Sequence, residues 1–282
     1  MVVTAASVGL DAFPFTSHLD LVGVVVAVAV GYAYGLRRLA PRFAPHDKPA
    51  VTRRQIAWFV TGLVLLLLME SWPIHDIGEG SLYSVHMIEH LVIALIVPPA
   101  MLKGMPGWFL RLLVKPILPT LRVATKPVVA LIAFNATLAF IHAPAIVDLS
   151  ITNEFAHFAI HASLLMTGAL MWWPVIGPIP DLPKMAPFMA MGYLFLQSLV
   201  PTIPASFLTF AEKPVYTIYE TLPRLWGFSA LDDQVLSGLI MKVGGGLILW
   251  TAITVIFFRW AGESERADRP IPVQVPVPVS PR

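Results

Sequence analysis

The sequence predicts an all-α, polytopic membrane protein: a bundle of seven transmembrane helices with the N-terminus outside and the C-terminus in the cytoplasm. Of the 282 residues, 57% are hydrophobic and 13% are charged, whereas a soluble domain carries about 25% charged residues. The apolar residues gather into blocks of roughly 17 to 25, the length that a helix needs to cross a hydrocarbon core of about 30 Å. The predicted spans cover residues 18–36, 55–72, 82–102, 127–143, 154–176, 187–209 and 233–258.

The basic residues determine the predicted orientation, because Lys and Arg accumulate in the cytoplasmic loops of membrane proteins. With the N-terminus outside, sixteen of the nineteen Lys and Arg residues fall in internal segments. The exceptions are Lys213 and Arg224 in external loops and Lys242 within the last span. The formal net charge of +2 is too small to suggest nucleic acid as a partner.

The chain is predicted to form one transmembrane domain over residues 1–260, followed by a cytoplasmic tail over residues 261–282. The tail alternates Pro and Val, which favours extended, disordered structure over helix. The first twenty residues contain no basic residue and no clear small-residue cleavage site, so we expect the first apolar segment to be retained as a span. Residues 103–126 combine aromatic, aliphatic and basic side chains, and we expect them to contact membrane lipid at the cytoplasmic surface.

Histidine is the residue type that points to function. Seven of the eight histidines fall in the predicted outer third of the bundle, and four of them form two His-x-x-x-His pairs, His86/His90 and His157/His161. An ionisable side chain within a membrane costs free energy unless it binds a partner. We therefore look for the functional site in this layer.

Helix geometry predicts that these histidines meet. Residues four apart share one helix face, and spans three and five both run inward from the outer side. His86 and His157 therefore lie at one depth, and His90 and His161 at a second depth one turn further in. Span four runs outward and brings His142 to the same layer at its outer end.

Five imidazoles in one layer predict a metal site. The chain contains no cysteine, so thiolate sites are excluded and soft-metal ligands are limited to histidine and methionine. Two imidazole pairs on neighbouring helices suit copper or zinc. The predicted metal ligands are His86, His90, His157, His161 and His142. The predicted supporting residues, which include Glu89 as an acceptor that fixes an imidazole tautomer, are Glu89, Met87, Asn135, Tyr83, Met241 and Lys242.

Other interpretations of the layer stay open at this point. The histidines can form a structural hydrogen-bond network or a proton path. Alternatively, His90 and His161 can hold a b-type haem between two helices, which would make the chain a membrane electron carrier. A zinc-dependent membrane hydrolase with Glu89 as its base is a further alternative. We interpret His18 and His75 as interfacial, hydrogen-bonded residues.

Two features carry less weight. Lys242 lies deep in the last span and needs either a counter-ion, for which Glu89 is a candidate, or a path for its ammonium group to the interface. The external segment 212–233 is aromatic and acidic. It either caps the histidine layer or meets a partner.

Several separate motifs resemble one known family. They are His86-Met87-Ile88-Glu89-His90 followed by Pro98-Pro99 and Gly104-Met105-Pro106, His142-Ala143-Pro144, His157-x-x-x-His161, Trp172-Trp173-Pro174, and Asp233-Gln234 leading to Gly238-Leu239-Ile240-Met241 and Gly244-Gly245. In order and spacing they resemble the CtaG-type cytochrome c oxidase assembly factors of bacterial membranes. The likeness covers about residues 55–258.

The resemblance implies a multi-pass protein of the bacterial plasma or inner membrane that is not an enzyme. It implies a copper-binding metallochaperone that supplies copper to a haem-copper oxidase, with oxidase subunits and an external soluble copper donor as partners. The five predicted histidine ligands match the histidines of the family. The chain departs from the family pattern at Glu89, where Gln is more usual, at Ile160 in place of Glu, and at Lys242 in place of Trp.

Overall fold

The computed structural model describes residues 7–182 and 184–267 of the chain, and its regular structure is almost entirely helical. A two-residue parallel pairing of β1 (Ser7–Val8) with β2 (Arg224–Leu225) joins the N-terminal segment to the loop before the last span. Within these described residues the helices are α1 (Leu19–Arg38), α2 (Ala40–Phe43), α3 (Arg53–Met69), α4 (Ile74–Gly80), α5 (Tyr83–Leu91), α6 (Val97–Gly104), α7 (Gly107–Val114), α8 (Leu118–Ala124), α9 (Pro127–Ile141), α10 (Pro144–Thr152), α11 (Glu154–Ile176), α12 (Pro187–Leu199), α13 (Thr202–Phe210), α14 (Ile218–Thr221), α15 (Ala230–Leu239) and α16 (Gly245–Ala267).

Five helical stretches are long and apolar enough to cross a membrane: Leu19–Arg38, Tyr83–Gly104, Glu154–Ile176, Pro187–Phe210 and Ala230–Ala267. The predicted second and fourth spans contain helices of only 17 and 15 residues, α3 and α9. They reach spanning length together with neighbours bent by 41° for α3 with α4 and by 90° for α9 with the helical segment before it. The described residues thus contain five to seven candidate spans, and the orientation of the bundle stays a prediction.

Local sequence signals explain where the helices begin and end. The side chain of Thr52 accepts a hydrogen bond from the backbone N–H of Gln55, and the Gln55 side chain accepts one from Thr52, so a capping box starts α3. The Asn153 side chain caps α11. At the other end of α11, Gly177 adopts a left-handed φ of 53° that terminates the helix.

Two π-helical segments interrupt long stretches of the bundle. Residues Val92–Ile96 link α5 to α6, and residues Ile240–Gly244 link α15 to α16. Such wide turns are rare and occur frequently at functional sites. The first of them comes directly after the helix that carries His86 and His90.

The apolar core lies between the helices, and large apolar side chains also cover the outside of the bundle. Phe155, Phe207 and Phe210 are 72–80% exposed, as expected for side chains that face lipid rather than water. The segment predicted to lie on the membrane surface forms the short helices α7 and α8. Helix α16 continues to Ala267, into the first residues of the predicted tail, and residues 268–282 of that tail lie outside the described part of the chain.

Candidate metal centre

Helix α5, which carries His86 and His90, is fixed at its start by a buried ion pair. The carboxylate of Asp233 in α15 accepts hydrogen bonds from the backbone N–H groups of Tyr83 and Ser84 at 2.8 and 3.0 Å. The guanidinium of Arg224 donates to the same carboxylate at 3.0 Å. These contacts satisfy N–H groups that a helix terminus leaves free, and they set the height of both histidines in the bundle.

The structure brings four of the predicted ligand histidines into mutual contact. The ring centroids of His86 and His90 lie 4.1 Å apart, as do those of His157 and His161. Between the two helices, the His90 and His161 centroids are 4.9 Å apart and their Nε2 atoms are 3.0 Å apart. All four side chains are buried. Nitrogens of His86, His90 and His161 lie within 4.8 Å of one another, so one ion can reach all three.

His142 stands at the edge of this group. Its ring centroid is 6.4 Å from that of His90, and its Nδ1 lies 2.7 Å from the backbone carbonyl of Leu138. Its Nε2 atom is buried and has no hydrogen-bond partner. His142 is therefore near the other rings but outside the groups of three that one ion can bridge.

His75 is hydrogen-bonded as predicted, but it also lies against the second histidine pair, which the sequence analysis did not predict. Helix α4 folds back against α5, and the His75 centroid lies 5.0 Å from that of His157 and 6.2 Å from that of His161. His18 is closer to the surface, where its Nε2 atom is 3.0 Å from the carboxylate of Asp76. The cluster thus contains an imidazole that the sequence analysis did not assign to it.

Two carboxylates that the sequence analysis did not select, Glu70 and Glu79, join Glu89 in the cluster. Glu70 is 2.8 Å from Nδ1 of His161, and Glu79 contacts Nδ1 of His157. The Glu89 carboxylate is 2.8 Å from Nδ1 of His75 but 3.7 Å from Nδ1 of His86, so its main partner is His75. The i,i+4 spacing of His75 and Glu79 was the available signal, because it puts both on one face of α4.

A carboxylate next to Nδ1 of a histidine leaves the other ring nitrogen, Nε2, able to bind a metal. A carboxylate that accepts a hydrogen bond from Nδ1 fixes the tautomer in which Nε2 carries the free lone pair. Two further groups of ligand atoms lie within 4.8 Å of one another, His75 with Glu79 and His157, and Glu70 with Glu89 and His161. We call Glu70, His75, Glu79, Glu89 and the four contacting histidines His86, His90, His157 and His161 the histidine–carboxylate cluster.

The charge of the cluster favours a cation. Three carboxylates lie among imidazoles that are neutral near pH 7 unless a carboxylate holds a proton on them, and Glu89 is fully buried. Buried negative charge is costly without compensation by protons or metal ions. Nε2 of His157 and Nδ1 of His86 are buried without hydrogen-bond partners, although buried polar atoms normally have one.

The spacing of the imidazoles suits an ion better than a haem. Two nitrogens on one tetrahedral ion at about 2.0–2.1 Å lie roughly 3.3 Å apart, and the His90 and His161 Nε2 atoms are 3.0 Å apart. A haem iron bound by two axial imidazoles separates their nitrogens by roughly 4 Å and requires a porphyrin between the rings. The rings of His90 and His161 would have to move apart to admit it.

The structure places the other predicted supporting residues around the cluster. Tyr83 stacks on His86 with ring centroids 5.8 Å apart. Met87 and Met241 are buried together with Tyr83 in one apolar group. Asn135 is not part of the layer: it donates to the side chain of Gln197 at 2.6 Å, because its position deeper in α9 faces α12.

The interpretation of Lys242 as a supporting residue, with Glu89 as its counter-ion, is wrong. Lys242 is exposed on the outside of the bundle, and among the described residues it makes no ion pair. The neighbouring Met241 faces inward instead. Glu89 is paired with His75, so the site does not use the charge of Lys242.

Part of the aromatic segment 212–233 covers the cluster. Tyr216 and Tyr219 are buried against Tyr83, with ring centroids 4.6 and 5.2 Å from it. The Tyr216 hydroxyl donates to the backbone carbonyl of His142 at 2.9 Å, and burial raises the pKa of Tyr216 to about 12, so the hydroxyl stays a donor. Trp226, in contrast, is 68% exposed.

Comparison with known proteins identifies the family of the chain. The chain is 26% identical over 277 residues to uncharacterized proteins of Mycobacterium bovis and Mycobacterium tuberculosis, and each alignment covers 91% of this chain. An uncharacterized protein of Mycobacterium leprae is 23% identical over 270 residues, which cover 88% of this chain. The chain spans about 40% of the length of these relatives. No solved structure matches the chain.

The sequence model of the cytochrome c oxidase caa3 assembly factor family (Caa3_CtaG) matches residues 30–263, more than four fifths of the chain. The match includes every residue of the histidine–carboxylate cluster, and it confirms the resemblance that the histidine and proline motifs indicate. The chain therefore belongs to the cytochrome c oxidase caa3 assembly factor family.

Proposed function

We propose that this protein assists the assembly of a haem-copper cytochrome c oxidase by holding copper in the histidine–carboxylate cluster and passing it to an oxidase subunit. In this role the protein is not an enzyme, because copper is its cargo and no bond of a substrate is broken. The observation that carries the proposal is the group of three buried imidazoles, His86, His90 and His161, whose nitrogens lie within 4.8 Å of one another.

The chemistry of the donors supports copper. Imidazole binds copper well, and a site without thiolate holds Cu(I) less tightly than a cysteine pair, which suits an ion that must be released. Zinc shares the preference for imidazole, so the choice between the two metals needs a direct measurement. The carboxylates of Glu70 and Glu79 orient His161 and His157 and offset the charge of the ion.

The position of the cluster supports delivery from one side of the membrane. By the predicted orientation, the cluster lies near the outer surface of a bacterial plasma or inner membrane. The group of His75, Glu79 and His157 lies nearest to solvent, since the Glu79 side chain is 33% exposed. We propose that this group receives copper from an external soluble donor and that the three buried imidazoles receive it next.

Metal analysis of the detergent-purified protein tests the proposal directly. The wild-type protein should bind about one or two copper ions per chain, and His90→Ala and His161→Ala should each remove at least one equivalent. His46→Ala is the matched control, because His46 is exposed in the loop between α2 and α3 and is not part of the cluster. Copper binding that is unchanged in both cluster variants would refute the proposed site.

The same sample separates the alternatives, and cells test the role in assembly. An optical Soret band would indicate haem, and zinc bound in preference to copper would favour the hydrolase.

In a strain that lacks the protein, the copper content and activity of the oxidase should fall. Wild type and His46→Ala should restore both, and His161→Ala should not. Full restoration by His161→Ala would contradict copper delivery through the cluster.

A further inference from the structure

A small, largely apolar cavity borders the histidine–carboxylate cluster at His90, between α5, α9, α11, α12 and the last span. Its volume is about 30 Å³, enough for a single ion or one or two water molecules. Most of its lining is aliphatic or aromatic, but His90, His142, Met87, Met241 and Gln197 also contribute to its wall. Both π-helical segments border it. Ala94 and Leu95 belong to the segment Val92–Ile96, and Met241 belongs to the segment Ile240–Gly244.

The polar atoms of this wall have the character of soft-metal ligands. Nδ1 of His90 and Nε2 of His142 are both buried without a hydrogen-bond partner, although buried nitrogens normally have one. Met87 and Met241, which are 1% and 3% exposed, add two thioethers. Imidazole combined with thioether is a donor set that selects Cu(I) over hard or borderline cations.

We propose that this cavity is a second, soft-metal site for Cu(I), formed by His90, His142, Met87 and Met241 and filled from the histidine–carboxylate cluster through His90. The proposal rests on the proposed function, because the ion must first be held in the cluster. It adds a defined second position for the ion, deeper in the bundle.

His90 is able to serve both sites because one of its ring nitrogens contacts the cluster and the other is free. Its Nε2 atom is 3.0 Å from Nε2 of His161 in the cluster, while Nδ1 has no protein partner. A neutral imidazole has one nitrogen with a free lone pair and one that carries a proton. When the ion moves from Nε2 to Nδ1, the proton moves from Nδ1 to Nε2, where His161 accepts its hydrogen bond. The two sites are therefore filled alternately rather than together.

His142 connects the cavity to the side of the bundle. It lines this cavity and also an open groove of about 930 Å³ between α9 and α13. The Tyr216 hydroxyl holds the backbone carbonyl of His142 in place. An ion bound by His142 is thus one side chain away from a surface that a neighbouring protein can reach.

X-ray absorption of the full-length protein loaded anaerobically with one equivalent of Cu(I) tests the proposal. The wild-type spectrum should contain sulfur in the first coordination shell of copper. Met87→Leu/Met241→Leu, which keeps the volume of the core, should lose the sulfur and bind Cu(I) at least tenfold more weakly. Zn(II) affinity should stay within twofold of wild type, because the imidazole–carboxylate ligands are intact. Met171→Leu is the matched control, since Met171 is also fully buried but lies outside the cavity wall.

The outcomes separate this proposal from the proposed function. A wild-type copper site with only nitrogen and oxygen ligands would overturn the soft site and leave copper binding by the cluster intact. Equal Cu(I) affinity of wild type and the double variant would overturn it as well. A wild-type protein that binds no Cu(I) would overturn both the soft-metal site and the proposed function. If the double variant fails to fold, the wild-type spectrum by itself decides whether sulfur binds the copper.

Discussion

At the scale of single residues, the cluster depends on carboxylates that determine which imidazole nitrogen is free. Glu70 lies directly after α3 and reaches His161 across the bundle at 2.8 Å. It plays the part that the sequence assigned to Glu89, which instead supports His75. Carboxylates behind metal-binding imidazoles typically change metal affinity by 10–100-fold.

Glu70→Gln should therefore weaken copper binding by about 10–100-fold and leave the fold intact. Gln keeps the size of the side chain but loses the charge that stabilises the metal-bound imidazole. A competition titration against a Cu(I) chelator measures the change. Glu220→Gln serves as control, because Glu220 is exposed and outside the cluster. Equal affinity of the two variants would show that Glu70 does not support the site.

Copper occupancy should fall as the pH of the medium drops from 7 to 5. Copper binds neutral imidazole, and histidine in water takes up a proton near pH 6.5, so protons and metal compete for the same nitrogens. Equilibrium dialysis at fixed free copper over this range measures the loss, and return to pH 7 should restore binding. Constant occupancy down to pH 5 would show that protons do not compete with copper at the cluster.

At the scale of elements, close helix packing aligns the two histidine pairs. Helix α11 approaches the π-helical segment after α5 at Gly168, where a Cβ atom would lie 2.5 Å from the backbone carbonyl oxygen of Ala94. This contact is possible only for glycine, since a real Cβ needs more than 3.0 Å. His161 lies two turns before Gly168 on α11, so the same contact sets its distance from His90.

Gly168→Ala should displace α11, lower the melting temperature and weaken copper binding together. The new methyl group meets a backbone atom rather than a flexible side chain, and overpacking of this kind costs typically 1–3 kcal/mol. Thermal unfolding in detergent and the copper titration measure the two effects. Gly192→Ala in α12 is the control, because a Cβ there meets nothing within 4 Å. If both variants behave like wild type, the packing at Gly168 does not position the site.

At the scale of the whole molecule, the orientation of the bundle decides on which side of the membrane the cluster lies. The positive-inside pattern predicts that the cluster and the segment 212–233 face outward. Because the chain contains no cysteine, a single introduced cysteine is its only thiol. Labelling of that thiol therefore reports on which side of the membrane the position lies.

The Glu220→Cys variant should react with a membrane-impermeant maleimide in intact spheroplasts. The Lys115→Cys variant, which carries its cysteine between α7 and α8, should react only after the membrane is permeabilised. Both positions are exposed in the structure, so access is limited by the membrane alone. The reverse pattern of labelling would place the cluster on the cytoplasmic side and exclude an external copper donor.

The sequence by itself determined the class of protein, the approximate extent of its spans and the residues in which to look for a site. Hydrophobic blocks of spanning length and helical i,i+4 spacing act within one segment, so His86/His90 and His157/His161 could be placed on common faces without coordinates. The family motifs are equally local, and the family match confirms them.

Only the tertiary structure decided which side chains complete the cluster. Glu70, His75 and Glu79 enter it because α3 and α4 meet at a bend of 41° and fold against α5 and α11. Lys242 leaves it because α15 and the π-helical segment pack so that Met241 is buried and Lys242 is exposed. Bends and wide turns arise from packing between helices, and the periodicity of one helix carries no information about them.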